Sequence, residues 1–170
     1  MALTSFFEIL NGASKPDAGE FTFGTTIKSA YLPNDNSSYF ESKESLIDWL
    51  RQFAQTDEEK EDVYLRTFLG RMLFTGEEAM KSATVLSGGE KVRCMLSKMM
   101  LAKGNLILMD EPTNHLDLES ITALNNAMAE YRGTLLFTSH DHELMNTVAN
   151  RIVEITPSGT IDKMMTYDNY

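Results

Sequence analysis

The stretch "NLILMDEP", Asn105–Pro112, decides the architecture. A continuous apolar run ends in two adjacent carboxylates and a proline, the pattern of a strand buried on both faces. Working downstream, Ile121, Leu124 and Met128 share one helical face. "TLLFTS", Thr134–Ser139, reads as a second buried strand, and "DHELMNTVAN", Asp141–Asn150, as a helix. "RIVEIT", Arg151–Thr156, reads as a third strand, which "PSGT" turns back into "IDKMM" as an antiparallel pair. Upstream, Val92, Met95, Leu96, Met99 and Met100 mark a helix opened by "LSGGE", Leu86–Glu90. Helices alternating with buried strands mean an α/β fold with a mostly parallel sheet flanked by helices. Sites in such sheets lie beyond the carboxyl ends of the strands. Here those ends are "MDEP" and "TSHD".

Further upstream the texture changes. Thr4 to Leu10 reads as a short helix closed by "NG", and "KPDAGE" as a turn. "FTFGTTIKSAYLP", Phe21–Pro33, reads as two short strands broken at Gly24 and stopped by Pro33. From Lys43 to about Phe74, Leu46, Leu50 and Phe53 form one apolar stripe and Leu65, Leu69 and Met72 another. This is a helical insert with Trp49 as its expected packing centre, and the charged "TDEEKED" between the stripes is a solvated face.

The 170 residues suffice for one domain with one sizeable core. Lys plus Arg number 15 against 25 Asp plus Glu, a net charge of −10, which argues against a broad nucleic-acid footprint on this chain. It leaves room for a nucleotide site, which needs only a few local groups. Cys94 is the only cysteine, so an intrachain disulfide is excluded and a reducing compartment fits best. No apolar run reaches the length of a membrane span, and "ALTSFFEIL" lacks the basic start of a secretory signal. The expected location is the cytoplasm.

Three groups carry chemistry. Asp110 and Glu111 repel each other at a strand tip unless a positive group sits nearby, and Mg²⁺ prefers such hard oxygen donors. In phosphoryl transfer to water, one carboxylate holds the metal and a second orients or deprotonates the water, which assigns Asp110 to Mg²⁺ and Glu111 to the water. The bland alternative is a solvated acidic loop. His140 ends the next strand on the same sheet edge, placed to donate to a phosphate oxygen or, more plainly, to act as a structural hydrogen-bonder. Ser87, Gly88 and Gly89 open a helix whose first amides lack internal partners and whose dipole favours an anion. Ser87 as a simple N-cap accounts for the same residues.

Taken together, these motifs resemble the ATP-binding cassette ATPases. "LSGGE" looks like their signature motif, "LILMDEP" like Walker B, "NHLD" (Asn114–Asp117) like the D-loop, and "TSHD" like the switch region with its histidine. The form "DEPTNHLD" most resembles the ABC-F group, soluble tandem-cassette proteins that act on the ribosome. The resemblance implies a P-loop NTPase-type fold in one partial nucleotide-binding domain over 1–170. Residues 1–40 and 81–170 would be its RecA-like core and 41–80 its helical subdomain. It implies ATP and Mg²⁺ as ligands and a second cassette, in cis or as a homodimer, as partner. Two cassettes would pair head to tail, so that Ser87, Gly88 and Gly89 meet the γ-phosphate of ATP held by the other. Asp117 falls in the D-loop, Asn34 at the place of the Q-loop glutamine, and Thr4 at the place of the Mg²⁺-binding hydroxyl. Leu3 then stands where the phosphate-loop lysine belongs. The loop and the strands before it are expected to be missing from this chain, leaving the isolated chain weak or inactive. Ribosome contact would fall to regions the chain lacks. The alternatives are a nucleotide-binding subunit of a transporter, against which "NHLD" and Asn34 count, and a catalytically silent cassette.

Overall fold

The computed structural model describes residues 2–170. Three parallel strands form its central sheet: β1 (Ser29–Leu32), β2 (Leu106–Asp110) and β3 (Thr134–Thr138), in the order β1-β2-β3. The register sets Leu106 beside both Ser29 and Thr134, and Asp110 beside Thr138. As the middle strand, β2 is covered on both faces, and Ile107, Leu108 and Met109 are buried. That is why this run carries no polar alternation.

Helices cover the sheet. α1 (Ala2–Leu10) packs against β2 and buries Phe7. α4 (Gly88–Leu101) runs beside β1, with Cys94, Met95, Leu96 and Met99 buried. α5 (Leu118–Glu130) packs on α4, and α6 (His142–Val148) packs on α5. The helical insert consists of α2 (Leu46–Arg51) and α3 (Asp62–Arg71) with flanking 3-10 turns. Both of its apolar stripes turn inward: Leu46, Leu50, Leu65 and Leu69 are fully buried, each contributing about 1.5–3 kcal/mol of burial free energy. Trp49 stacks on Phe40 at 4.9 Å and donates its indole N–H to the Tyr39 carbonyl at 2.7 Å. Insert and sheet share one continuous apolar core.

Two strand expectations need correction. "FTFG" forms no strand: Phe21 and Phe23 pack edge-on at 5.6 Å and stay largely exposed. A lone extended segment gains nothing without a partner ladder, and among the described residues none lies beside it. β3 is only half-buried, because β2 is its sole neighbour in the sheet. The third downstream strand, β4 (Ile152–Thr156), pairs among the described residues with β5 (Gly159–Lys163), as the expected antiparallel hairpin. The Arg151–Asp162 ion pair clasps that hairpin with bonds of 2.8 and 2.6 Å. Among the described residues, no helix is long and apolar enough to cross a membrane.

Candidate functional site

Parallel strands end on one edge, so the sheet alone brings the segments after β1, β2 and β3 together. Leu32 lies opposite Met109, and Asn34 therefore leaves the sheet at the level where Asp110 ends β2. Asp110 is buried, and its Oδ1 accepts a hydrogen bond from Thr138 Oγ1 at 2.8 Å. The same Thr138 hydroxyl accepts the Glu111 N–H at 3.0 Å. One threonine thus fixes both carboxylate positions. Glu111 adopts a left-handed backbone, with φ at +51°, which turns the chain sharply off the strand. Its Oε1 lies 3.2 Å from His140 Nε2 on the neighbouring strand's exit. The His140 side chain is 92% exposed, free to meet a ligand, while that of Glu111 is largely covered.

Two carboxylate oxygens at this edge, Asp110 Oδ2 and Glu111 Oε2, are buried without a hydrogen-bond partner among the described residues. A buried carboxylate oxygen left alone is costly, so the pair is set up for a positive or hydrogen-donating guest. A hard divalent cation fits Asp110 Oδ2 by donor chemistry. No cluster of three or more His, Cys, Asp or Glu that could hold a metal by itself exists among the described residues. A cation here would accordingly take its remaining oxygens from water and a ligand's phosphates, the usual habit of Mg²⁺. The field of Asp110 and Glu8 also reaches Tyr31, whose hydroxyl is pushed up from its ordinary pKa by burial first and by these two carboxylates next.

The second group sits at two helix starts. Ser87 caps α4 in a reciprocal box: Ser87 Oγ accepts the Glu90 N–H at 3.2 Å, and Glu90 Oε2 accepts the Ser87 N–H at 2.8 Å. Lys81 holds the other Glu90 oxygen at 2.9 Å. Burial pushes the Glu90 carboxyl up, but the Ser87 amide and Lys81 outweigh it, and the net shift is down. Capping consumes an acceptor lone pair of Ser87 and leaves its O–H free to donate outward. The N-cap and anion-binding readings are therefore compatible. Ser87 and Gly88 are exposed, whereas Gly89 is buried against α5. Asp117 caps α5 by accepting the Ser120 N–H at 2.8 Å, and the nearness of the Ser120 hydroxyl first, and that amide next, holds its carboxyl below the ordinary range.

The structure thus joins Asp110, Glu111 and His140 at one edge, with Asn34 leaving the sheet beside them, and sets Ser87, Gly88, Gly89 and Asp117 in a second cluster. Thr4 is half-buried in the first turn of α1, apart from the second cluster. Sequence reasoning missed Thr138. Its signal was present: a threonine whose register faces Asp110 once the two strands are paired in parallel. Lys81, which anchors the capping box, carried no such signal.

Comparison with known proteins follows the same lines. A family model described as ABC transporter matches residues 4–114. An uncharacterized ABC transporter ATP-binding protein of Bacillus subtilis, YkpA, is 57% identical over 171 aligned positions that cover 100% of this chain and 31% of that protein. The energy-dependent translational throttle protein EttA of Escherichia coli is 33% identical over 94% of this chain and 29% of its own length. The chain thus spans about a third of the length of these relatives. Among solved structures, the RNase-L Inhibitor superposes with a TM-score of 0.73 at 22% identity, over 98% of this chain and 33% of that one. An ATP-binding cassette dimer in a post-hydrolysis state with ADP and Pi gives 0.69 at 18% identity, over 89% of this chain and 75% of that one. At such identities these two structures speak to the fold alone.

Proposed function

The chain belongs to the ATP-binding cassette ATPases, and from that premise we propose that it supplies the hydrolytic edge and the signature turn of the second cassette of a soluble ABC-F-type ATPase acting in translation. The observation that carries the reading is the Glu111–His140 contact of 3.2 Å beside the unpartnered oxygen of buried Asp110. Support for translation comes from the relative named a translational throttle protein, and from "DEPTNHLD". Residues 41–80 act as the helical subdomain and the rest as the RecA-like core. The cytoplasm is the compartment where such a cycle runs.

In this mechanism Glu111 Oε2 accepts a hydrogen bond from the attacking water and takes up its proton as the bond to phosphorus forms. His140 fixes the Glu111 side chain through Oε1 and donates toward a phosphate oxygen. Asp110 Oδ2 would hold Mg²⁺, which when bound would neutralise charge on the phosphates. By their places in the motifs, Asn34 and Thr4 would serve the same cation or its waters. At the other cluster Ser87 Oγ–H and the free amides of the first turn of α4 meet the γ-phosphate of ATP held by a second cassette, and Asp117 borders that interface. The 170 residues contain no G-x-x-x-x-G-K-[ST] run, so the chain taken alone binds Mg-ATP weakly.

The test is a Mg-ATP titration and phosphate-release assay on the chain alone and on the chain within the full-length protein. Weak binding and little turnover alone, with robust turnover in the full-length protein that Glu111→Gln abolishes, is the expected outcome. Full turnover by a Glu111→Gln protein would overturn the assignment.

A further inference from the structure

The second glycine of the signature turn has its side-chain position closed off by α5. A Cβ built on Gly89 would come within 2.7 Å of Ser120 Cβ, closer still to Ser120 Oγ, and within 3.7 Å of Asp117 Oδ1. A Cβ on Gly88 meets nothing within 4 Å. Ser120 lies in the first turn of α5, is 1% exposed, and its Oγ has no hydrogen-bond partner among the described residues. Its backbone N–H is tied to Asp117, and from Asp117 the chain runs back through left-handed His115 to left-handed Glu111. We infer that Gly89 and Ser120 form a steric joint between the signature turn and the segment carrying Glu111. Position 89 is glycine because α5 leaves no room for a side chain, and Ser120 is a positioning residue that sets the height of the signature turn over α5.

The joint has a consequence in each direction. A phosphate pulling on Ser87 moves the first turn of α4, and that turn cannot tilt toward α5 without meeting Ser120. The load passes to the Asp117 cap and so to the short loop that ends at Glu111. The packing of Gly89 on Ser120 holds whatever the chain does, whereas its effect on turnover rests on the ATPase reading above. Arg93, which lies one helical turn beyond Gly89, is near enough to Asp117 for its charge to help lower that carboxyl, and it donates to the Met72 carbonyl at 2.9 Å.

Two-site replacement separates this joint from a ligand requirement. Gly89→Ala inserts the clashing methyl, and Ser120→Gly removes both atoms it would strike. Overpacking of this kind lowers the folded-to-unfolded ratio by about tenfold or more, read as a drop in the urea midpoint. Ser120→Gly by itself lowers the ratio by a lesser amount, about twofold, through glycine's helix propensity. The double variant is expected to unfold at the midpoint of Ser120→Gly alone, and in the full-length protein to recover ATP turnover to the level of that single variant. Gly88→Ala, measured for stability only, leaves the midpoint unchanged or raises it slightly. The inference fails if the double variant is as unstable as the two single losses combined. It also fails if stability returns while turnover stays at the Gly89→Ala level, since position 89 would then serve the ligand directly. Should the parent full-length protein show no turnover at all, the ATPase reading falls, and the unfolding cycle still decides the joint.

Discussion

Thr138 offers the most demanding check of the hydrolytic edge. Thr138→Val keeps the branched shape and deletes one hydroxyl. That hydroxyl donates to Asp110 Oδ1 at 2.8 Å and accepts from the Glu111 N–H at 3.0 Å. A bond to a buried carboxylate is worth about 1.5–3 kcal/mol and a backbone bond about 1 kcal/mol, so the loss is about 3 kcal/mol. Asp110 would then have both side-chain oxygens unpartnered, since Oδ2 already is. With a urea slope of about 2 kcal/mol/M, the midpoint by far-ultraviolet circular dichroism falls by about 1.5 M. Thr138→Ser retains the hydroxyl and removes one methyl, a change of about 0.8 kcal/mol or less. A valine midpoint within about 0.3 M of the serine one would refute the claim that this hydroxyl holds the two acids.

Other expectations follow from the same geometry. Glu111→Gln should slow phosphate release by the full-length protein by about 10²- to 10⁴-fold while leaving nucleotide-dependent cassette association in size-exclusion runs intact. The Glu59 carboxyl is held below its ordinary range by its bond to Lys103, at 2.8 Å, and by the Gln55 amide, and the same partnership raises Lys103. Its contribution is present above the unfolded carboxyl value of about 4.3 and is lost as pH falls through the lower folded value, so thermal midpoints should drop under acid conditions and drop less steeply in Glu59→Gln. Lys103 works in the opposite sense: its share is present below the unfolded lysine value of about 10.4 and disappears as pH rises past the raised folded value. Cys94 is buried, and burial pushes its thiol pKa up, so it should resist thiol reagents until urea unfolds the chain.

How far the sequence carried this picture depends on the kind of contact. β2 was legible because burial on both faces forces an unbroken apolar run, and α2 and α3 because their leucines recur on one helical face. Ser87 announced a helix start and accepts the expected amide, whereas Asp117 and Asp141 proved to cap α5 and α6 in the same way without having been read as caps. Thr138 was missed because its role emerges only once β2 and β3 are paired in parallel and in register. The packing of Gly89 on Ser120 was hidden likewise, since a glycine before a helix reads as an open turn until a neighbouring element closes it. "FTFG" misled in the opposite direction: its alternation is that of a strand, but alternation supplies no partner.

The backbone at Glu111 has an implication for how this position tolerates change. A side chain on a left-handed residue costs about 1–2 kcal/mol relative to glycine. Glycine there would make the chain sturdier and strip away the group that handles water. A screen that rewards robustness alone should therefore drift toward silent proteins at this position, and the acid persists only where turnover itself is under selection.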